Sequence, residues 1–401
     1  MESTMRIVPL LAAFAALPFV GCDFLVGEEE PRAAERLKTF ELIVEDASDA
    51  NAFEQIYGSS RVPFATITLK SVSLQNTYTL VADSTGTARL ERAISDDYVV
   101  TARRPLSPDE YEAVFGFASP HHTLVNASQG IVELRADVAD PLTIRLDDIR
   151  ADAPLLISEI YACGPPDAGL YYHDKYVEVF NNSDSTLYLD GLTIARVYNS
   201  SYLGLNYVDD SEFVHSKTVW YFPGDGDDYP IEPGEFVVCA EDGMDHRINA
   251  PESVDLSGVS FEFFKNDAPD VDNPGVPNML MLYQSSGYDW LIGGEKEGLV
   301  IADMALDSVI WRDDQILVPI STVIDGVEYL DDVTELDEKT LYPGVDAGVT
   351  GGIEFYTGKS MERIVDPTAT EFRLRDQNNS SLDFTVIEDP TPEWHYTQGD
   401  Q

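Results

Sequence analysis

The feature that most constrains this chain is the period of its apolar residues. They recur in short runs, many alternating with polar neighbours, and Gly, Pro, Asp and Asn separate one run from the next. That is the pattern of strands joined by turns, and helical spacing is nearly absent. The most helix-like stretch, Pro108 to Phe115, is short and falls in a connection. The expectation is an all-β chain built as two β-sandwiches. In the first, residues 39–148, strands are expected at Phe40–Val44, Ala65–Leu69, Tyr78–Ala82, Ala88–Leu90, Tyr98–Ala102, Ile131–Arg135 and Leu142–Leu146. Asp83-Ser84-Thr85-Gly86 reads as a tight turn between two of them. Ile149 to Pro154 reads as a linker, residues 155–390 as a larger sandwich with long loop insertions, and residues 391–401 as a tail.

Met1 to Gly21 has the parts of a secretory signal: Arg6, then an uncharged apolar run from Ile7 to Val20, then a small residue. The run is shorter than the roughly 20 apolar residues that cross a bilayer. Phe19-Val20-Gly21-Cys22 resembles the bacterial lipobox, with Phe19 where Leu is usual. The resemblance implies lipidation of Cys22, removal of residues 1–21 and a lipid-anchored cell-envelope protein. Residues 22–38, with Glu28-Glu29-Glu30 and Pro31, read as an acidic tether. An acidic stretch after the lipid cysteine resembles the surface-export signal of Bacteroidetes-type lipoproteins.

The formal net charge is −47, from 72 acidic against 25 basic residues. Such a field repels nucleic acid and anionic head groups. Few Lys and many Asp suit either a salt-adapted surface or a merely acidic exported protein. Cys163 and Cys239 lie in or beside apolar strand patterns, and the sequence leaves two readings: a disulfide, or two separately buried thiols.

Val62 to Leu69, Tyr78 to Asp83, Gly86-Thr87-Ala88 and Asp97-Tyr98-Val99-Val100 resemble the carboxypeptidase regulatory-like, transthyretin-type module, with Asp97 replacing the usual Gly. Leu155 to Tyr161, Tyr176 to Asn182, Leu187 to Leu192 and the closing Ser360 to Arg363 resemble the lamin-tail domain, an immunoglobulin-like sandwich. Tyr176 to Ala195, Tyr221 to Tyr229, Asp245-His246 and Asp270 to Asn278 together resemble the lipoprotein family known as domain of unknown function 4876. That resemblance implies an outer-membrane surface lipoprotein beside a TonB-dependent transporter.

Oxygen donors crowd two loops, at Asp225, Asp227 and Asp228 and at Asp267, Asp270 and Asp272. Calcium takes six to eight such ligands. Neither loop has EF-hand spacing, and in so acidic a chain clusters also arise by chance. His246, in the Asp245-His246 step, is the histidine of most interest, as a ligand or as a loop cap. Tyr198, Tyr202, Tyr207, Trp220, Tyr221 and Tyr229 gather in a loop-rich stretch that suits a glycan or peptide ligand, or else packs under its own loops. No G-x-S-x-G, H-E-x-x-H or phosphate-cradling glycine motif is present. The leading expectation is a non-enzymatic binding or accessory subunit without an assigned cofactor beyond calcium. The alternatives are a glycan-acting hydrolase using a carboxylate pair and a structural or adhesive envelope protein.

Overall fold

The computed structural model describes residues 37–119, 121–136, 140–166, 170–197, 207–285, 287 and 289–395. Cys22, Tyr198 and Tyr202 lie outside the described residues.

The first unit stacks two sheets. One runs Thr87–Ala93, Lys38–Asp46, Leu142–Leu146; the other runs Thr77–Val81, Thr66–Ser71, Asp96–Leu106, His122–Val125, Asp148–Ala151, with Ile131–Leu134 also paired to Asp96–Leu106. Leu42, Val44, Ile67, Leu69, Tyr98 and Val100 point inward and are wholly buried, as period-two alternation requires. The Asp83–Gly86 turn closes on an Asp83 Oδ1 that accepts the Thr85 and Thr87 N–H groups, with Gly86 at φ 73°. Pro108–Phe115 is a helix. Ser107 caps it with a full capping box to Glu110, and Gly116 ends it in the left-handed region.

Two strands escape the sequence pattern. His122–Val125 follows a His-His step, and Asp148–Ala151, partly exposed at the sheet edge, carries too much charge to read as a strand. The linker therefore shrinks to Asp152–Pro154.

The second unit is the larger sandwich. Its first sheet runs Phe261–Glu262, Phe236–Ala240, Tyr176–Asn181, Leu155–Tyr161, Ser360–Arg363, Phe384–Ile387. Its second runs Ile310–Arg312, Gln315–Pro319, Phe213–Tyr221, Thr193–Val197, Glu297–Ala302, Val323–Leu330, Thr350–Gly351, with Leu280–Gln284 also paired to Phe213–Tyr221. The shared core holds Trp220, Phe222, Phe263 and Trp290, the last two stacked at 3.7 Å. Cys163 and Cys239 are two separately buried free thiols.

The units meet along a hydrogen-bonded seam. Lys70 Nζ donates to the Ser381 carbonyl (2.7 Å), Arg103 to the Asp376 carbonyl (2.7 Å), and the Asn379 amide to Thr101 Oγ1 (2.7 Å). Arg150 donates to the Gly344 carbonyl.

The C-terminal stretch is not a free tail as far as His395. The Thr391 N–H donates to Glu159 (3.1 Å), the Glu393 N–H to Glu178, and His395 is buried against Glu178. Residues 391–395 thus complete the core of the second unit.

Candidate metal centre

The end of the first sheet collects acids because two strands stop there together. Tyr176 pairs with Ala240, and one step further the Glu241 N–H donates to the Lys175 carbonyl at 2.8 Å. The segment entering one strand and the segment leaving the other therefore run side by side. His173 comes from the first segment, Glu241 and Asp242 from the second.

Two loops complete the group. The loop after Phe261–Glu262 supplies Asp270. It is folded back by Glu262, whose Oε2 accepts the Gly243 N–H (2.8 Å) and whose Oε1 accepts the Asn273 N–H (2.7 Å). Asp270 itself accepts the N–H groups of Lys265 (2.7 Å) and Val271 (2.8 Å). Asp289 precedes Trp290, whose ring is locked in the core and whose N–H donates to Asp289 Oδ1 at 2.9 Å.

The result is two overlapping groups of ligand atoms. His173, Glu241 and Asp289 form one, and Asp242, Asp270 and Asp289 the other; within each, the atoms lie within 4.8 Å of one another. His173 Nδ1 is 2.7 Å from Glu241 Oε1 and 3.6 Å from Asp289 Oδ2. Glu241 and Asp242 are buried, yet Glu241 Oε2 and Asp242 Oδ1 have no hydrogen-bond partner. A buried carboxylate oxygen without a partner is costly, by about 1–3 kcal/mol or more, and a bound water or cation is one way in which native proteins satisfy it.

The electrostatics agree. Burial raises the Glu241 carboxyl well above its ordinary range, with Asp289 beside it. Burial, then the Asp289 and Asp270 charges, pushes Asp242 up to about 8. The Asp289 and Glu241 carboxylates raise His173 to about 10, so its imidazolium partly offsets their charge. His173 is the open side of the pocket: its side chain is 36% exposed and Tyr172 stacks on it at 4.5 Å. His246 is buried in the wall, bonded through Nδ1 to Tyr171 OH (2.6 Å) and through Nε2 to the Asp242 carbonyl (3.0 Å).

A further buried acid cluster, Glu159, Glu178 and His395, differs in one respect. Its oxygens are met from within: Glu178 by Ser158 OH (2.7 Å), His395 (3.1 Å) and the Glu393 N–H, Glu159 by the Thr391 N–H and hydroxyl. Its carboxylate oxygens are thus met inside the protein, and His395 Nδ1 is the ring nitrogen left without a partner.

The acids singled out in the sequence divide. Asp270 joins the pocket, while Asp267 and Asp272 stay on the exposed loop. Asp225, Asp227 and Asp228 belong to a loop wrapped round Asp190, whose carboxylate accepts the N–H groups of Gly226, Asp228 and Tyr229 at 2.9–3.0 Å. Among the aromatics, Trp220 is wholly buried, Tyr229 packs on Phe261 (5.1 Å), Tyr207 stacks on His215 (3.5 Å), and Tyr221 is half-buried beside Thr193 and Leu280. Sequence reasoning missed His173, Glu241, Asp242 and Asp289. One signal was present: the apolar run Phe236–Ala240 ends directly on two acids, which places carboxylates at a strand end that is still buried.

A comparison with curated proteins returned no match. The model of the family described as "Protein of unknown function (DUF4876)" matches residues 232–391, a segment that contains Glu241, Asp242, Asp270 and Asp289 but not His173. The crystal structure of a DUF4876 family protein from Bacteroides thetaiotaomicron is similar in fold, at 20% identity and a TM-score of 0.55, covering 90% of this chain and 97% of that one. Residues 232–391 therefore resemble the DUF4876 family of unknown function, within an all-β chain whose fold is similar to that of the Bacteroides thetaiotaomicron member.

Proposed function

We propose that this protein is a non-enzymatic binding subunit of the cell envelope, anchored by a lipid on Cys22, whose second sandwich holds a divalent cation in the pocket of His173, Glu241, Asp242, Asp270 and Asp289. The observation that carries the reading is the convergence of these groups around two buried carboxylate oxygens that no protein donor satisfies. Oxygen-rich donor sets suit hard cations, calcium foremost. A cation there would tie the two loops carrying Asp270 and Asp289 to the sheet end. Among the described residues no helix is long and apolar enough to cross a membrane, so attachment in this reading rests on Cys22. The outer-membrane surface beside a TonB-dependent transporter is the setting that the family resemblance suggests. The hydrolase reading draws less support, because Trp220 is buried rather than offered to a sugar.

Two measurements test this. Thermal unfolding after exhaustive chelation, then with added Ca2+, is expected to show a rise in Tm of about 5 °C or more at saturating cation. Asp289→Asn is expected to abolish the rise. A Tm indifferent to Ca2+, Mn2+ and chelator would remove the cation from the proposal. Separately, Cys22→Ser is expected to move the protein from the membrane fraction to the soluble one. Continued sedimentation with membranes would remove the lipid anchor.

A further inference from the structure

The pocket's donors fall into two overlapping sets, more than one cation needs. Four carboxylates and one imidazole converge, and buried Lys175, whose Nζ donates to the Ile292 carbonyl (2.7 Å), lies close enough for its charge to act on Glu241. The donors also sort by chemistry. His173, Glu241 and Asp289 offer a nitrogen and two oxygens, the set that first-row transition metals favour. Asp242, Asp270 and Asp289 offer oxygen alone, the set of a hard cation. Each group contains one of the unpartnered buried oxygens, Glu241 Oε2 in the first and Asp242 Oδ1 in the second. Asp289 is common to both.

We propose that the pocket is a two-cation centre in which the Asp289 carboxylate bridges a transition-metal ion held by His173 and Glu241 and a calcium-class ion held by Asp242 and Asp270. The inference rests on the cation reading above and adds stoichiometry and metal class to it. Bridging carboxylates hold paired ions about 3.5–4 Å apart, a span that the overlap of the two groups permits. Three protein donors per ion leave coordination positions for water or for the oxygens of an anionic ligand, and His173 marks the side from which they are reached.

The test is native mass spectrometry of the full chain with Zn2+ or Mn2+ alone, Ca2+ alone, and both together, with calorimetry for affinity. Two ions per chain are expected with both cations, one with either alone at limiting concentration. His173→Gln, at the exposed side, is expected to weaken the transition metal by about tenfold or more and to leave Ca2+ within about twofold. Asp270→Asn is expected to do the reverse, and Asp289→Asn to weaken both. Co2+ on the unaltered protein gives a readout independent of any variant: a visible absorption band that persists when Ca2+ is added. One ion per chain at saturation, or loss of the Co2+ band on adding Ca2+, overturns the two-cation centre while leaving a single-cation pocket standing. Binding of no ion at all overturns the cation reading itself.

Discussion

Replacing Arg363 with methionine is expected to destabilise the second unit by about 3–5 kcal/mol, the range for stripping a buried charge of its partner. The Arg363 side chain is 2% exposed. Its Nη2 donates to Asp325 Oδ2 (2.7 Å) and its Nε to the Ile157 carbonyl (2.7 Å), while its Nη1 lies 3.8 Å from both Asp376 and Asp383. The guanidinium also lies over the Phe384 ring at 4.8 Å. It is thus the counter-charge for three acids and a clasp between Leu155–Tyr161 and the closing strands. Burial already pushes Asp325 up to about 6 and Asp383 up to about 8 against the opposing pull of Arg363. Without the cation, these acids must take up protons or stay charged in the core. Methionine keeps the apolar volume, so packing loss contributes little. Urea unfolding followed by fluorescence measures the effect. A loss below about 1 kcal/mol would mean that the acids rearrange freely. Adding Asp325→Asn to the methionine variant should recover part of the loss, because one orphaned charge is then gone.

The second large effect is on pH. Glu159 and Glu178 are wholly buried, and burial pushes both carboxyls up to about 8, with the Glu178 charge adding to the effect on Glu159. Around them stand Tyr176, Glu362, Arg363 and His395, whose pKa burial lowers, so that it works against the two glutamates below about pH 6.5. In the unfolded chain glutamate titrates near pH 4.3. The folded values are higher, so folding retains protons that the unfolded chain releases. The stability these two groups contribute is complete below about pH 4.3 and is lost as the pH climbs through about 8. Tm is therefore expected to fall by about 5 °C or more between pH 5 and pH 8. The paired change Glu159→Gln and Glu178→Gln should flatten that slope; parallel curves for variant and parent would refute the assignment. Because the Thr391 and Glu393 N–H groups donate to these carboxyls, protection of those amides from exchange should weaken over the same interval.

The strand pattern was legible where apolar alternation was unbroken, as at Thr66–Ser71 and Leu142–Leu146. The helix at Pro108–Phe115 was legible because Ser107, Pro108, Glu110 and Gly116 each state a boundary by local chemistry. Asp148–Ala151 was not, because an edge strand needs no apolar face and its charges imitate a linker. The pocket was harder still. Its five groups come from four separate stretches of chain, brought together by the register of Tyr176 with Ala240, by the fold-back through Glu262 and Asn273 and by the seating of Trp290 in the core. Among 72 acids, nothing local distinguishes Asp289 from Asp267. What separates them is burial, which the long loops decide.

The seam and the three-residue join at Asp152–Pro154 bear on how the molecule would meet its surroundings. If Cys22 carries the proposed lipid, the contour from membrane to the first described strand is 16 residues, Cys22 to Leu37, at most about 50–60 Å when drawn out. Beyond that strand the route to the acidic pocket has almost no slack, because Arg103, Lys70 and Asn379 fix one unit against the other. The two sandwiches therefore act as one mast. The pocket therefore sits at a fixed distance from Lys38, where the first strand begins, and any movement of that strand carries both sandwiches with it.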